Sequence, residues 1–91
     1  METITERGKT HGDYHNTAKI IQQLKAVKSQ ALNHRARAGL PYLSATQLES
    51  LDMILHKCGR ILSGDPNEPD HWRDIEGYAR IANKEEDNAD R

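Results

Sequence analysis

The chain has 91 residues, of which 35% are hydrophobic and none is phenylalanine, so it can form one domain with a small core. Its net charge of −1 conceals two halves: residues 1–45 carry seven Lys/Arg against three Asp/Glu, and residues 46–91 carry six against eleven. The composition excludes a transmembrane helix, because no run of about 18 apolar residues occurs. A single cysteine excludes an internal disulfide, and the N-terminus lacks the apolar stretch of a secretion signal. We therefore expect a cytoplasmic protein.

The first predicted helix runs from about residue 15 or 16 to about residue 38. Asp13 or Asn16 is its predicted N-cap, and Gly39 suits its C-terminal end. Its apolar residues recur at intervals of three and four, which is typical of one buried stripe. These residues are Ile20, Ile21, Leu24, Val27, Ala31 and Leu32.

The second predicted helix has the clearest start. Ser44 and Gln47 form a capping-box pattern, in which each side chain can bind a free backbone amide of the first turn. Gly64 is predicted to end the helix. The apolar stripe between them consists of Leu48, Leu51, Leu55, Cys58 and Leu62, widened by Ile54 and Ile61.

The third predicted helix follows a turn in which Asn67 can act as the N-cap and Pro69 occupies an early helical position. Its predicted inward residues are Trp72, Ile75, Ala79 and Ala82, with Trp72 interpreted as a core residue rather than a platform for base stacking. Residues 84–91 are too polar to pack, so we expect a single domain over residues 1–83 and a frayed, charged tail.

These elements predict an all-α fold, a small three-helix bundle completed by oligomerisation. The core is thin, so that burial of apolar surface barely offsets the loss of chain entropy. We expect a second copy to add the missing contacts, with the second helix near the symmetry axis and halves of opposite charge meeting across the interface. Gly59 and Gly77 lack side chains where close approach of another helix is possible.

Several charged residues of the second helix share one side. Glu49, Asp52, His56 and Arg60 fall in a stripe beside the apolar seam, at about 100° per residue. Carboxylates one turn apart can hold Mg²⁺ together with substrate phosphates, while Lys57 and Arg60 can neutralise phosphate charge. The alternative is an exposed stripe of ion pairs, each contributing a few tenths of a kcal/mol, about 0.2–0.5. Spacing alone leaves both interpretations open.

Two further groups of residues could carry chemistry. On the third helix, Asp70 and Asp74 lie one turn apart with His71 and Tyr78 on a neighbouring face. In the N-terminal segment, residues 9–15 gather two histidines, one carboxylate and one phenol, which could bind a metal or a ligand, or form a turn and an N-cap. The five histidines lack the spacing of a helical zinc site, so zinc is not expected.

Three blocks of sequence together support a resemblance. They are ERGKTHGDY at 6–14, LDMILHKCGRILSGDP at 51–66 and DHWRDIEGYA at 70–79. In this order they resemble a family of small, mostly uncharacterised phage and prophage proteins. The resemblance covers nearly the whole chain and implies a phage-encoded protein that acts in the bacterial cytoplasm.

The chain is also distantly similar to MazG-like all-α nucleotide pyrophosphohydrolases, which use acidic residues on several helices to hold Mg²⁺ and cleave nucleoside triphosphates. The similar features are the His-Gly-Asp-Tyr entry, the Lys-x-x-Arg-Ile helix and the Asp-Ile-x-x-Tyr helix. The acidic pair that this family carries on an early helix has no counterpart here, because residues 14–48 contain no Asp or Glu. A magnesium clamp that offsets triphosphate charge needs more carboxylates.

The preferred hypothesis is a non-catalytic, phage-encoded binding protein without a cofactor. It would be a counter-defence protein that sequesters a nucleotide-like anion or blocks a host defence protein, and it would pair with its own copies. Neither a membrane nor a nucleic acid is expected as a partner, since no basic stripe is interleaved with aromatic residues. The predicted ligand-binding residues are His11, Asp13, Tyr14, Lys57, Arg60, His71, Asp74 and Tyr78.

The alternative hypothesis is a Mg²⁺-dependent, MazG-like nucleotide pyrophosphohydrolase. In that case Glu49 and Asp52 would be the metal ligands, with Asp74 as a possible third. Lys57 and Arg60 would hold the phosphates of the substrate.

Overall fold

A computed structural model describes the backbone of residues 13–89 and the side chains of residues 13–83. Its elements are α1 (Tyr14–Arg37), α2 (Ala45–Ser63) and α3 (Pro69–Ala89). Within this part of the chain there is no β-strand, so the predicted all-α class is confirmed.

Both ends of α1 are set by local hydrogen bonds. The Asp13 carboxylate accepts a hydrogen bond from the backbone N–H of Asn16 at 3.3 Å, so Asp13, and not Asn16, is the N-cap. At the other end, Gly39 has a φ of +73°, a left-handed conformation that glycine adopts without strain. The Arg35 guanidinium donates to the carbonyl oxygen of Pro41 at 2.8 Å and holds the following loop against the helix.

The predicted capping box of α2 is confirmed. The Gln47 backbone N–H donates to Ser44 Oγ at 3.0 Å, and the Ser44 backbone N–H donates to Gln47 Oε1 at 2.9 Å. Two amides that lack partners inside the helix are satisfied in this way. Gly64 is the C-cap, as the sequence indicates.

The start of α3 differs from prediction. Asn67 lies in the preceding turn, where its backbone N–H donates to Asp65 Oδ1 at 2.9 Å, and Glu68 directly precedes the helix. The Glu68 carboxylate accepts from the Asp70 N–H at 3.4 Å. The helical backbone continues through Ala89.

The central element is α2, which packs against both other helices, while α1 and α3 barely touch each other. On one side Lys28 of α1 pairs with Asp52, and on the other side Asp74 of α3 pairs with Lys57. At about 100° per residue, the contacts of α2 with α1 and with α3 lie on roughly opposite sides of the helix. The three helices therefore lie side by side, in a molecule with extents of 46 × 30 × 18 Å.

This arrangement leaves two free faces, each crossing all three helices. Both outer helices run antiparallel to α2, so the same helical geometry assigns the side chains to faces. We call the first the apolar face: Ile20, Val27 and Ala31 of α1; Leu51, Leu55, Cys58 and Leu62 of α2; Trp72, Ile75 and Ala79 of α3. We call the opposite one the polar face: Lys25, Ser29, Glu49, Met53, His56, Arg60 and Gly77.

Several residues predicted to point inward are therefore exposed. Ile21 is the one hydrophobic residue that is buried among those with described side chains, whereas Val27 is 64% and Trp72 54% exposed. Ala31 and Ala79 are exposed as well. The reason is that α1 and α3 contact α2 through the edges of their apolar stripes rather than through the centres.

The prediction that Trp72 belongs to the core is wrong, and its neighbour His71 takes that place with 1% exposure. Adjacent helical residues point about 100° apart, so only one of the two can face α2. The Trp72 indole Nε1–H donates to the carbonyl oxygen of Pro66 at 2.6 Å. This bond ties the ring to the preceding turn.

Candidate anion-binding site

The candidate site lies on the polar face, where α1 and α2 meet. His56 and Arg60 are one turn apart on α2, Lys57 follows His56 directly, and Lys25 approaches from α1. The position of Lys25 depends on how α1 is placed against α2. That placement is fixed one turn away by the pairing of Lys28 with Asp52.

The electrostatics of the site are visible at His56. Burial lowers the pKa of this imidazole below its ordinary value, and the positive charges of Arg60, Lys57 and Lys25 lower it further. Three cations from two helices are thus close enough to disfavour a fourth positive charge. The same field favours a bound anion.

Only part of this positive charge is neutralised by the described side chains. Lys57 Nζ lies 2.8 Å from Asp74 Oδ2, and the hydrogen bond from Lys57 is the main cause that lowers the pKa of the Asp74 carboxyl. Neither Lys25 nor Arg60 forms an ion pair with another residue whose side chain is described. These two side chains are therefore available to an anionic ligand.

Of the predicted ligand residues on α2 and α3, the structure brings Lys57, Asp74 and His71 together between the two helices. The positive field of His71 contributes to the lowered pKa of Asp74. His71 itself is almost fully buried, so it packs the contact between α2 and α3. Tyr78 is half-buried one turn beyond Asp74 on α3, and Arg60 is half-buried on the polar face.

Only part of the N-terminal group at residues 9–15 lies within the described residues. The Asp13 carboxylate is engaged as the N-cap of α1, and His11 lies outside the described residues. Tyr14 is 79% exposed, and its ring meets that of His15 edge-on at a centroid distance of 6.2 Å. The hydroxyl contact of Thr17 with Ser63, at 2.6 Å, places this end of α1 beside the C-terminal end of α2, where Arg60 lies.

The three carboxylates of the metal hypothesis have different surroundings. Glu49 is exposed on the polar face, Asp52 faces α1 and pairs with Lys28, and Asp74 pairs with Lys57. No group of three or more metal-ligating side chains exists among the described residues. Two of the three candidate ligands, Asp52 and Asp74, therefore already have their negative charge neutralised by a lysine.

The predicted ligand residues include Lys57 and Arg60 but not Lys25, and His56 is predicted only as part of the charged stripe of the second helix. Lys25 lies within residues 14–48, which contain no Asp or Glu. This absence of acids is the sequence signal that could have identified it. Its proximity to His56 depends on the register between α1 and α2.

A concave region lies at the opposite end of the molecule. It is a cleft of about 430 Å³ between the loop after α1, the first half of α2 and the end of α3. Its lining includes Arg35, Tyr42, Gln47, Leu51, Ile54 and Ala82. Apart from Arg35 the cleft has no charged side chain, so it differs chemically from the polar face.

Comparison of the chain with protein-family models, curated proteins and solved structures finds no match. Within the described residues, none of the helices combines the length and the apolar character needed to cross a membrane.

Proposed function

We propose that this protein is a non-catalytic binding protein whose polar face binds a phosphate-bearing, nucleotide-like ligand. The observation that carries the proposal is the group of three cations around His56, drawn from two helices, of which Lys25 and Arg60 have no ion pair among the described side chains. Phosphate oxygens accept charge-assisted hydrogen bonds from lysine and arginine, which are stronger than neutral ones.

The exposed ring of Tyr14 supports a nucleotide rather than a bare phosphate. It lies at the N-terminal end of α1, on the same end of the molecule as Arg60, and most of its surface is open to solvent. An aromatic ring near a cationic group can stack on a base while the cations hold the phosphate.

The biological setting that we propose rests on the resemblance of the three sequence blocks to small phage and prophage proteins. In the cytoplasm of an infected bacterium, a protein with such a site would sequester a signalling nucleotide of the host defence. Blocking a host defence protein with the same face is the second form of this role.

A ligand screen by thermal unfolding tests the proposal. The candidates are cyclic dinucleotides, cyclic trinucleotides and ADP-ribose derivatives, with inorganic pyrophosphate as the bare-phosphate comparison. A ligand at 100 times its Kd stabilises a protein by about 2.7 kcal/mol, which for this size corresponds to a rise in Tm of roughly 10–20 °C. No rise with any of them would overturn the ligand-binding form of the proposal.

A matched pair of variants locates the site. Lys25→Glu reverses a charge beside His56, whereas Lys19→Glu makes the same change on the exposed side of α1. We expect Lys25→Glu to weaken binding at least about tenfold, or 1.4 kcal/mol, and Lys19→Glu to change it little. Equal effects of the two variants would show that the net charge of α1, and not the site, attracts the ligand.

The same samples decide between binding and catalysis. Incubation with nucleoside triphosphates and Mg²⁺ should leave the nucleotides intact, since Asp52 and Asp74 are paired with lysines. Release of pyrophosphate that is abolished by Asp52→Asn would establish the pyrophosphohydrolase instead.

A further inference from the structure

The imidazole of His56 lies at the centre of the proposed anion site. On α2 it comes one residue before Lys57 and one turn before Arg60, and its side chain is half-buried. A neutral imidazole has one N–H donor, whereas an imidazolium has two and carries a positive charge. The protonation state of His56 therefore decides whether the site presents three cations or four.

The packing of α1 against α2 places the third cation, Lys25, beside this imidazole. Three contacts define the register of the two antiparallel helices: Thr17 with Ser63, Ile21 with Gly59, and Lys28 with Asp52. Successive contacts are four and then seven residues apart on both helices, so one register holds along this stretch. His56 accordingly lies opposite Leu24, and Lys25 is the next residue, on the polar face. The cluster of cations thus follows from the packing of the two helices.

The acids near the imidazole are already paired or lie further away. The sequence of α1 contains no Asp or Glu. On α2, Asp52 precedes the imidazole by one turn and pairs with Lys28, and the exposed Glu49 lies two turns away, about 10 Å along the helix. On α3, which contacts the other side of α2, Asp74 pairs with Lys57. Among the described side chains, no unpaired acid therefore lies within one helical turn of the imidazole.

A bound anion would reverse the electrostatic balance at this imidazole. In the free protein, burial and the charges of Arg60, Lys57 and Lys25 lower the pKa of His56 below its ordinary value of 6.5. An anion held between Lys25 and Arg60 cancels part of that positive field, and it accepts a charge-assisted hydrogen bond from an imidazolium. Both effects favour the protonated ring in the complex.

We infer that the polar face takes up its anionic ligand together with one proton, which His56 holds in the complex. This coupling rests on the proposed binding function and adds its regulation, since the proton and the ligand strengthen each other's binding by the same factor. The affinity rises as the pH falls from the pKa of His56 in the complex to its lower pKa in the free protein, by up to about tenfold for each pH unit. Mild acid therefore strengthens the capture of the ligand.

Inorganic sulfate is a suitable probe for this coupling. It offers oxygens arranged like those of a phosphate, and it keeps both of its charges over the range in which histidine titrates, about pH 5–8. A phosphate monoester releases its second proton in the same range, with a pKa of about 6, and would obscure the proton that binds to His56.

NMR spectroscopy of the full chain follows the proton and the anion in one sample. The ring-proton signal of His56, assigned by its absence in His56→Gln, gives the midpoint of the imidazole titration, and the backbone amide signals of Lys25 and Arg60 report the binding of sulfate. At constant ionic strength, replacing chloride by sulfate should raise the midpoint of His56 by at least about half a pH unit, which corresponds to about threefold in sulfate affinity. His34, which is exposed and more than two turns away from Lys25 on α1, is the control, and its midpoint should stay unchanged.

Variants at two histidines test whether His56 carries the coupling. Any protein gains positive charge in acid, so some strengthening of sulfate binding is expected without a specific group. His56→Gln cannot take up the proton and should lose most of the pH dependence of the sulfate Kd, whereas His34→Gln should keep it. His56→Lys supplies a permanent charge and should bind sulfate tightly over the whole range.

The possible results distinguish a failure of the coupling from a failure of the proposed function. If sulfate shifts the amide signals of Lys25 and Arg60 but leaves the midpoint of His56 in place, the coupling is overturned and the binding function stands. A pH dependence that survives His56→Gln has the same meaning. If no amide signal shows a saturable shift at any pH in this range, there is no anion site, and both proposals are overturned.

Discussion

The contact of α2 with α1 and its contact with α3 are formed by different kinds of side chain. Against α1, the absence of a side chain at Gly59 lets Ile21 approach the backbone, and a Cβ placed there would overlap Ile21 Cγ1. Ser63 donates to the Gly59 carbonyl at 2.7 Å, so the Thr17 hydroxyl must donate to Ser63. The contact with α1 therefore depends on the close fit of the Ile21 side chain against the α2 backbone at Gly59.

Against α3 the contact centres on an imidazole. The most buried side chain is the imidazole of His71, and the nearby ion pair joins Lys57 to the partly exposed Asp74. The other helical glycine, Gly77, lies on the polar face of α3, and no described atom beyond its own stretch of helix lies within 4 Å of a Cβ placed there. One helix thus uses two solutions, so the same substitution should have different effects on its two sides.

The largest difference is expected from glycine-to-alanine substitutions. Gly59→Ala forces a methyl group against Ile21 and should destabilise the protein by about 1–3 kcal/mol, a cost that higher helix propensity offsets only in part. Gly77→Ala meets nothing and should stabilise it by up to about 1 kcal/mol. Urea unfolding measures both.

A second substitution checks the cause. Ile21→Ala removes the atom that the new methyl would meet, so the two changes should be coupled and the double variant should lose less than the sum of its parts. Equal stability of Gly59→Ala and Gly77→Ala would contradict the close approach of Ile21 to Gly59.

The next largest difference is expected in the loss of stability when the Lys28–Asp52 or the Lys57–Asp74 ion pair is removed. Asp52→Asn leaves Lys28, whose side chain is 16% exposed, without its partner, and should cost about 1–2 kcal/mol, between the values for exposed and buried pairs. Asp74→Asn should cost less, because that carboxylate is 43% exposed. Urea midpoints at neutral pH and low salt compare them, and a larger loss for Asp74→Asn would reverse the proposed order.

A smaller difference concerns mild acid. The pKa of His56 lies below its ordinary value of 6.5, so its contribution to stability is fully present above 6.5 and is lost as pH falls through the lowered pKa. His56→Gln should therefore flatten the loss of stability on acidification in this range. The same substitution at the exposed His34 serves as the control, and an identical pH profile for both variants would contradict the prediction.

The smallest effect should appear in stronger acid and on the α3 side. Lys57 holds the pKa of Asp74 below its ordinary value of 3.8, so the stabilisation is present above 3.8 and disappears as pH falls through the lowered value. Asp74→Asn should remove this step while leaving the one from His56. Measuring the stability of both variants as a function of pH separates the two steps. If the step in stronger acid survives Asp74→Asn, that step has another origin.

The ends of α1 and α2 could be predicted from the sequence because their signals are local. The capping box at Ser44, the cap at Asp13 and the stop at Gly64 each involve residues within one turn. The contact faces could not be predicted in the same way. Whether His71 or Trp72 faces α2 depends on a rotation of about 100°, and the turn acceptor at Pro66 that holds the indole is visible only in three dimensions.

The candidate site follows the same division. Lys57 and Arg60 share one helix with His56, so their proximity follows from helical spacing. Lys25 joins them only because α1 docks in one register, which Gly59 and the pairing of Lys28 with Asp52 establish. No spacing rule within one helix contains that information.

The central position of α2 also has a consequence for how the chain folds. Since α1 and α3 barely touch, the fold consists of two antiparallel helix hairpins that share one helix and are closed by short loops at 38–44 and 64–68. Contacts between neighbours in sequence favour rapid folding, because little loop entropy is lost before they form. Either hairpin can nucleate first, and a destabilised α2 would remove both routes at once.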